Sequence, residues 1–188
     1  MNFLTRSLIA VCAILLASPA FAQNQTFTIN PASSEVNFSL GGNTHAVHGV
    51  FHVKNGAVHF DRAAGKIDGI IVVDAGSGNS GNQSRDQKMT NEVLEASHFA
   101  EVSFVPQSYQ GTINPAGDST IQVTGAFTLH GTRHDLTVPM QLHIEGSALT
   151  AKTHFTIPYV KWGLKDPSVF ILKVAKEVNI DLNLQGQI

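Results

Sequence analysis

From Thr26 onward the apolar residues of this chain recur mainly at every second position, the spacing that sends alternate side chains to opposite faces of a β-strand. Phe27 and Ile29 alternate with Thr26 and Thr28, and Val36, Phe38 and Leu40 with Glu35, Asn37 and Ser39. The alternation is cleanest between Asp135 and Glu145, where Leu136, Val138, Met140, Leu142 and Ile144 are apolar and their neighbours, Pro139 apart, are polar. Similar runs pass through Ile121, Val123, Phe127 and Leu129, through Leu149, Ala151, Phe155 and Ile157, and through Val178, Ile180, Leu182 and Leu184. Asn55-Gly56, between Phe51 and Val53 on one side and Val58 and Phe60 on the other, has the composition of a type I′ turn and predicts a tight hairpin. His130-Gly131-Thr132-Arg133 and Gly146-Ser147 predict two more hairpin loops. Only 83–95 predicts a helix, with Met89, Val93 and Leu94 on one face, inside a long connection between strand groups.

About ten short strands with one dry face each must stack as two sheets or close into a barrel. The up-and-down order of the turns favours an all-β antiparallel barrel. A strand buried on both faces, as in a parallel sheet, would not alternate in this way. Barrels of about eight strands are either filled by side chains or hold one small ligand, and periodicity leaves both open.

Composition narrows the partners. The chain has 188 residues, 14% of them charged, with 12 Lys and Arg against 14 Asp and Glu. That leaves no surplus charge to neutralise a phosphate backbone, which argues against nucleic acid, and it disfavours purely electrostatic binding to an anionic membrane. Residues 1–22 have the pattern of a signal peptide: Arg6 supplies the basic start, Leu8 to Leu16 the apolar stretch, and Ala20-Phe21-Ala22 the small-residue cleavage site. The apolar stretch is much shorter than the ~20 residues that span a bilayer, and no other stretch is longer. Export to the periplasm or beyond, with cleavage after Ala22, is therefore expected. It would remove Cys12, the chain's single cysteine, and leave 23–188 as one domain held by packing rather than disulfides.

Candidate chemistry is sparse. Gly76-Ser77-Gly78-Asn79-Ser80-Gly81 matches the dinucleotide fingerprint, but that motif works between parallel strands, and its surroundings read as antiparallel. His48 and His52 would share a strand face about 13 Å apart at ~3.3 Å per residue, too far to ligate one ion. No thiol or carboxylate cluster accompanies the nine histidines, so no metal or other cofactor is expected. Ser84, Asp86 and His98 lack a nucleophile elbow, and no enzyme activity is expected. Arg85-Asp86 reads as a helix-start pair that fixes its loop. More informative are Phe38, Phe51, Phe104, Phe127 and Phe155, which fall on the dry faces of different strands and would converge inside a closed sheet.

Several segments resemble the YceI-like family. They are Phe27-Thr-Ile-Asn-Pro31, Glu35-Val-Asn-Phe38, His48-Gly-Val-Phe51, Gly56-Ala-Val-His-Phe-Asp61, Asn82-Gln-Ser-Arg85-Asp86-Gln-Lys-Met89 and Val102-Ser-Phe104. The hairpin from Val123 to Val138 also resembles the family pattern, with Phe127 a slight departure. A larger departure is Tyr159-Val-Lys-Trp162-Gly-Leu-Lys-Asp166, where many relatives carry an Arg-x-Asp-Phe-Gly-Met type stretch. The resemblance implies an extended lipocalin-like barrel that binds a polyisoprenoid or related lipid in an apolar interior.

On that basis the expected lining is Phe38, Phe51, Phe104, Phe127, Met140, Leu142, Phe155, Ile180 and Leu182, with Tyr159, Trp162 and Lys165 at the rim. A chain of methylenes worth roughly 0.8 kcal/mol each could be held without a charged anchor. The alternative function is an envelope stress or electron-transport accessory acting through surface contacts with a membrane partner. A homodimer through exposed edge strands is a further expectation.

Overall fold

The computed structural model describes residues 24–43, 45–170 and 173–188; the expected signal peptide at 1–22 and Cys12 lie outside them. Nine strands form one sheet: β1 (Asn24–Ile29), β2 (Glu35–Leu40), β3 (Val47–Asp61), β4 (Lys66–Asp74), β5 (Glu101–Gln110), β6 (Gly117–Leu129), β7 (Thr132–Glu145), β8 (Ala148–Ile157) and β9 (Val178–Gln187). The sheet closes because β3 pairs with β4 on one side and with β1 and β2 on the other.

β1 and β2 share one position in the wall. β1 pairs with the second half of β3, Ala57 to Asp61, and β2 with the first half, Val47 to His52. Both also pair with β9. Pro31, which has no N–H to give a ladder, starts the short 3-10 turn Pro31–Ser33 between them, and the Asn30 side chain accepts from Ala32 N at 3.0 Å. The result is a closed eight-stranded antiparallel barrel with one short helix. Every strand pairs on both sides over at least part of its length, and the pairing is shortest between β7 and β8.

Asn55-Gly56 is not a hairpin. β3 runs through it, and its register with β4 slips by one residue between Val53 and Asn55, a β-bulge. The long strand bends here as it changes partner from β2 to β1. Gly56 permits the close approach: a Cβ there would lie 2.5 Å from Ile29 Cδ1. The hairpin turn comes later, at 62–65, where Asp61 Oδ1 accepts from Ala63 N at 2.8 Å and Ala64 N at 2.9 Å. By contrast, His130 and Gly131 do form a two-residue turn, with φ of 50° and 71° as type I′ requires.

The predicted helix is an α-helix only over Gln83–Lys88 (α1), followed by a π-turn over Met89–Val93. Asn82 caps it by accepting from Arg85 N at 3.0 Å. The strands around it are antiparallel, and Gly78 serves packing: a Cβ would lie 2.5 Å from Met89 Cε and 2.7 Å from Phe51 Cε1. The glycine-rich run is thus a loop against β3 rather than a phosphate cradle, with Asn79 exchanging two backbone hydrogen bonds of 2.9 Å with Val50.

The two ends of the barrel differ. At the end carrying the 62–65 and Gly146 turns, Phe27, Ile29, Val58, Phe60, Ile121, Ile144, Leu149 and Leu184 are all buried in one core. The other end carries α1, the His130-Gly131 turn and the long 158–177 connection.

Candidate functional site

Above the packed half lies a cavity of about 560 Å³. Its deepest wall, judged by strand register, is made by Val36 of β2, Ile71 of β4, Met140 of β7, Thr153 of β8 and Leu182 of β9. The upper wall adds Phe38, Phe51, Phe104, Phe127, Leu136, Val138, Phe155 and Ile180. Period-two alternation places each of these side chains inward, and the closed sheet brings them together.

Glycines seat the aromatic rings. A Cβ on Gly49 would lie 2.5 Å from Phe38 Cε1, and one on Gly125 would lie 2.7 Å from Phe104 Cζ. Phe38 in turn packs on Phe51 with ring centres 5.4 Å apart, and Phe127 meets Phe155 edge-on at 6.2 Å. The strand glycines were a sequence signal for this arrangement that periodicity passes over.

Of the expected lining residues, Phe38, Phe51, Phe104, Phe127, Met140, Phe155, Tyr159, Ile180 and Leu182 line the cavity. Leu142 and Trp162 do not. Leu142 faces inward but sits one inward step below Met140, opposite Ser119 and Ala151, inside the packed half. Trp162 stacks flat on His134, with ring centres 3.9 Å apart and planes at 6°, and touches Phe127 at 5.9 Å. Lys165 is also off the wall, paired with Glu92 at 2.7 Å. His134, on which Trp162 stacks, lies on the stretch of β7 that has no pairing with β8. β7 and β8 pair only from Glu145–Ala148 to Gln141–Lys152, stopping just before Pro139, which has no N–H.

Described residues of three segments form the rim: 40–43 with 45–47, α1 with its π-turn, and 158–170 with 173–174. They are tied together. Ala175 N donates to Gly41 O at 2.7 Å and Asn43 N to Lys173 O at 3.0 Å, while Lys88 Nζ donates to Pro167 O at 3.2 Å. Buried Tyr159 donates its hydroxyl to Ala175 O at 2.8 Å, and burial, with Asp166 nearby, pushes its pKa up to about 12. Arg85 and Asp86 fix the loop before the helix, as expected. Arg85 Nε donates to Ser80 Oγ at 2.7 Å and Asp86 Oδ1 accepts from Ser80 N at 2.9 Å and from the Ser80 hydroxyl.

The charged side chains that reach the cavity are Arg85, Lys88 and Lys173, and no Asp or Glu lies among its described lining residues. The cations at the mouth are thus these three and not the expected Lys165. Arg85 and Lys88 lie a turn apart on α1, whereas Lys173 is far away in sequence, and only the closed barrel brings it to the same mouth. The histidines are elsewhere or otherwise engaged: His130 contacts Glu95 at 2.5 Å, His143 Asp118 at 2.6 Å and His154 Asp181 at 2.7 Å, while His45 lies on the rim. Among the described residues no group of three or more His, Cys, Asp or Glu could hold a metal ion.

Comparison with known proteins decides the family. The YceI-like domain pattern matches residues 27–186, nearly all of the described barrel. The chain belongs to the YceI-like family. A relative, the UPF0312 protein of Pseudomonas fluorescens, is 27% identical over 150 residues, covering 74% of this chain and 73% of the relative. BcnA of Burkholderia cenocepacia shares the fold at a TM-score of 0.68 with 23% identity, covering 85% of this chain and 99% of that one. A polyisoprenoid binding domain from Saccharophagus degradans, implicated in plant cell wall breakdown, superposes at 0.63 with 14% identity, covering 86% and 97%. The YceI protein of Campylobacter jejuni superposes at 0.59 with 15% identity, covering 79% and 84%.

Proposed function

We propose that this YceI-like protein is a carrier that holds a long-chain lipid, an isoprenoid or isoprenoid quinone, without transforming it. The chain would occupy the upper half of the barrel, and an oxygen-bearing head group would meet Arg85, Lys88 and Lys173 at the mouth. The observation that carries this reading is the cavity itself: about 560 Å³, walled by aliphatic and aromatic side chains, floored by a packed core and ringed by cations. Such a volume is in the range of small-molecule sites, and its apolar lining rewards a chain rather than a compact polar ligand. The described ligand class of the Saccharophagus domain supports the isoprenoid choice. The signal-peptide pattern at 1–22 supports a periplasmic or secreted location, where a poorly soluble lipid needs a carrier to cross water.

The test is purification without detergent, solvent extraction and mass spectrometry, together with titration of the stripped protein by a fluorescent long-chain probe. A lipid near one per protein, displaced by the probe, is expected. Repeated preparations that yield no lipid and take up no probe would refute the reading.

A further inference from the structure

We propose that Val169 and Phe170, together with Lys173, form a docking surface for an anionic phospholipid bilayer at the cavity mouth. The proposal rests on the reading of the cavity as a lipid site and adds where the lipid is collected. Among the described residues three large hydrophobic side chains are exposed, and two of them stand next to each other here: Phe170 at 95% and Val169 at 49%. Scattered exposed apolar residues are ordinary; an aromatic ring left almost wholly in water at the lip of an apolar cavity is not.

Two further observations select a bilayer as the occupant. The surface is continuous with the cavity, because Val169 is both exposed and part of the lining. A chain leaving the hydrocarbon could move along the loop into the barrel without crossing water. The surroundings are also basic: 158–177 carries Lys161, Lys165, Lys173 and Lys176 against Asp166 and Glu177. Lys88 reaches the same loop through Pro167 O. Lys165 is paired with Glu92, and the Asp166 carboxylate, which accepts from Ser168 N at 2.9 Å, stays negative near Lys176 and Lys173, which leaves the five lysines, Lys88 included, against Glu92, Asp166 and Glu177. The overall formal charge of −2 hides this local excess. An apolar wedge flanked by lysines is the usual equipment of a surface that sits at the headgroup boundary.

The experiment is co-sedimentation of the purified protein with sucrose-loaded vesicles of phosphatidylcholine, with and without phosphatidylglycerol, alongside probe uptake in vesicle-free buffer. Wild type is expected to sediment with the phosphatidylglycerol vesicles. Phe170→Glu is expected to weaken that partitioning about tenfold or more, given the value of burying one phenyl ring. Lys173→Glu is expected to weaken it severalfold, and only when phosphatidylglycerol is present. Probe uptake by Phe170→Glu should match wild type, because its ring is outside the cavity, which also shows that the variant folds. Wild type that stays in the supernatant, Phe170→Glu that binds vesicles as wild type does, or a Phe170-dependent dimer without vesicle binding would each overturn the docking surface even with probe uptake intact. Phe170-dependent vesicle binding by a protein that takes up no probe would support the docking surface and refute the cavity reading.

Discussion

Affinity should depend on ligand chain length in a way that the cavity volume sets. If a methylene takes about the ~30 Å³ share of a liquid water, the 560 Å³ cavity holds between about fifteen and twenty chain carbons. Each methylene removed from water contributes roughly 0.8 kcal/mol, near a fourfold change in Kd, and ordering the chain trims this toward twofold. A displacement series of fatty acids from eight to twenty-two carbons should therefore tighten by about two- to fourfold per carbon and then flatten near eighteen. The floor can be raised to check the reasoning. Val36 faces the cavity between Phe51 and Leu182, and Val36→Phe adds four carbons and no hydrogens, on the order of 50 Å³, less than half that share for each atom. The break should move to shorter chains by about two carbons with the slope unchanged. Isothermal titration or probe displacement below the critical micelle concentration reads both quantities. A series that keeps tightening beyond twenty-two carbons, or a break that stays in place in Val36→Phe, would refute the picture of a chain that ends on this floor.

Thr153 is buried with its hydroxyl unpartnered among the described residues, beside the point where β7 and β8 part. Thr153→Val keeps the shape and is expected to raise stability by about 1 kcal/mol, read as a higher denaturation midpoint at unchanged slope. A clear loss would show that the hydroxyl has a partner. Leu184, 1% exposed in the packed half, should cost about 3–5 kcal/mol on change to alanine. Leu182→Ala should cost less, because its cavity side already lacks partner atoms, and the reverse order in urea melts would contradict the division of the barrel into packed and hollow halves. Tyr159 ionises near pH 10 when unfolded and near 12 when folded, so the unfolded chain loses its proton first and stability should fall as pH rises from 10 to 12. Tyr159→Phe should remove about 2–3 kcal/mol of that alkaline loss while costing about 1 kcal/mol at pH 7 through the orphaned Ala175 carbonyl. Tyr109, also raised by burial, contributes in the same direction, so the difference between the two proteins is the measurement.

Alternation along single strands was enough to predict strands, their inner faces and an antiparallel barrel, because period-two burial is a local property of the backbone. The His130-Gly131 turn was legible for the same reason, since two positive φ angles are a demand that those two residues meet. Asn55-Gly56 meets the same demand, yet it lies in a bulge. What decides there is a partner 27 residues away, Ile29, whose side chain occupies the space beside Gly56.

Residues on one face of a strand are alike in sequence whatever their height in the barrel. Met140 and Leu142 face the same interior, but one borders the cavity and the other is packed against the opposite walls. Only closure of all eight positions fixes how much volume each layer must fill. The same closure brings Lys173 to the mouth that Arg85 and Lys88 of α1 border, which a count of charges along the chain averages away. The sequence by itself determined which side chains point inward, because that depends on neighbours two residues apart. Whether the inside is full or hollow, and what rings its opening, was decided by tertiary structure, because both depend on distances between strands that the chain meets far apart.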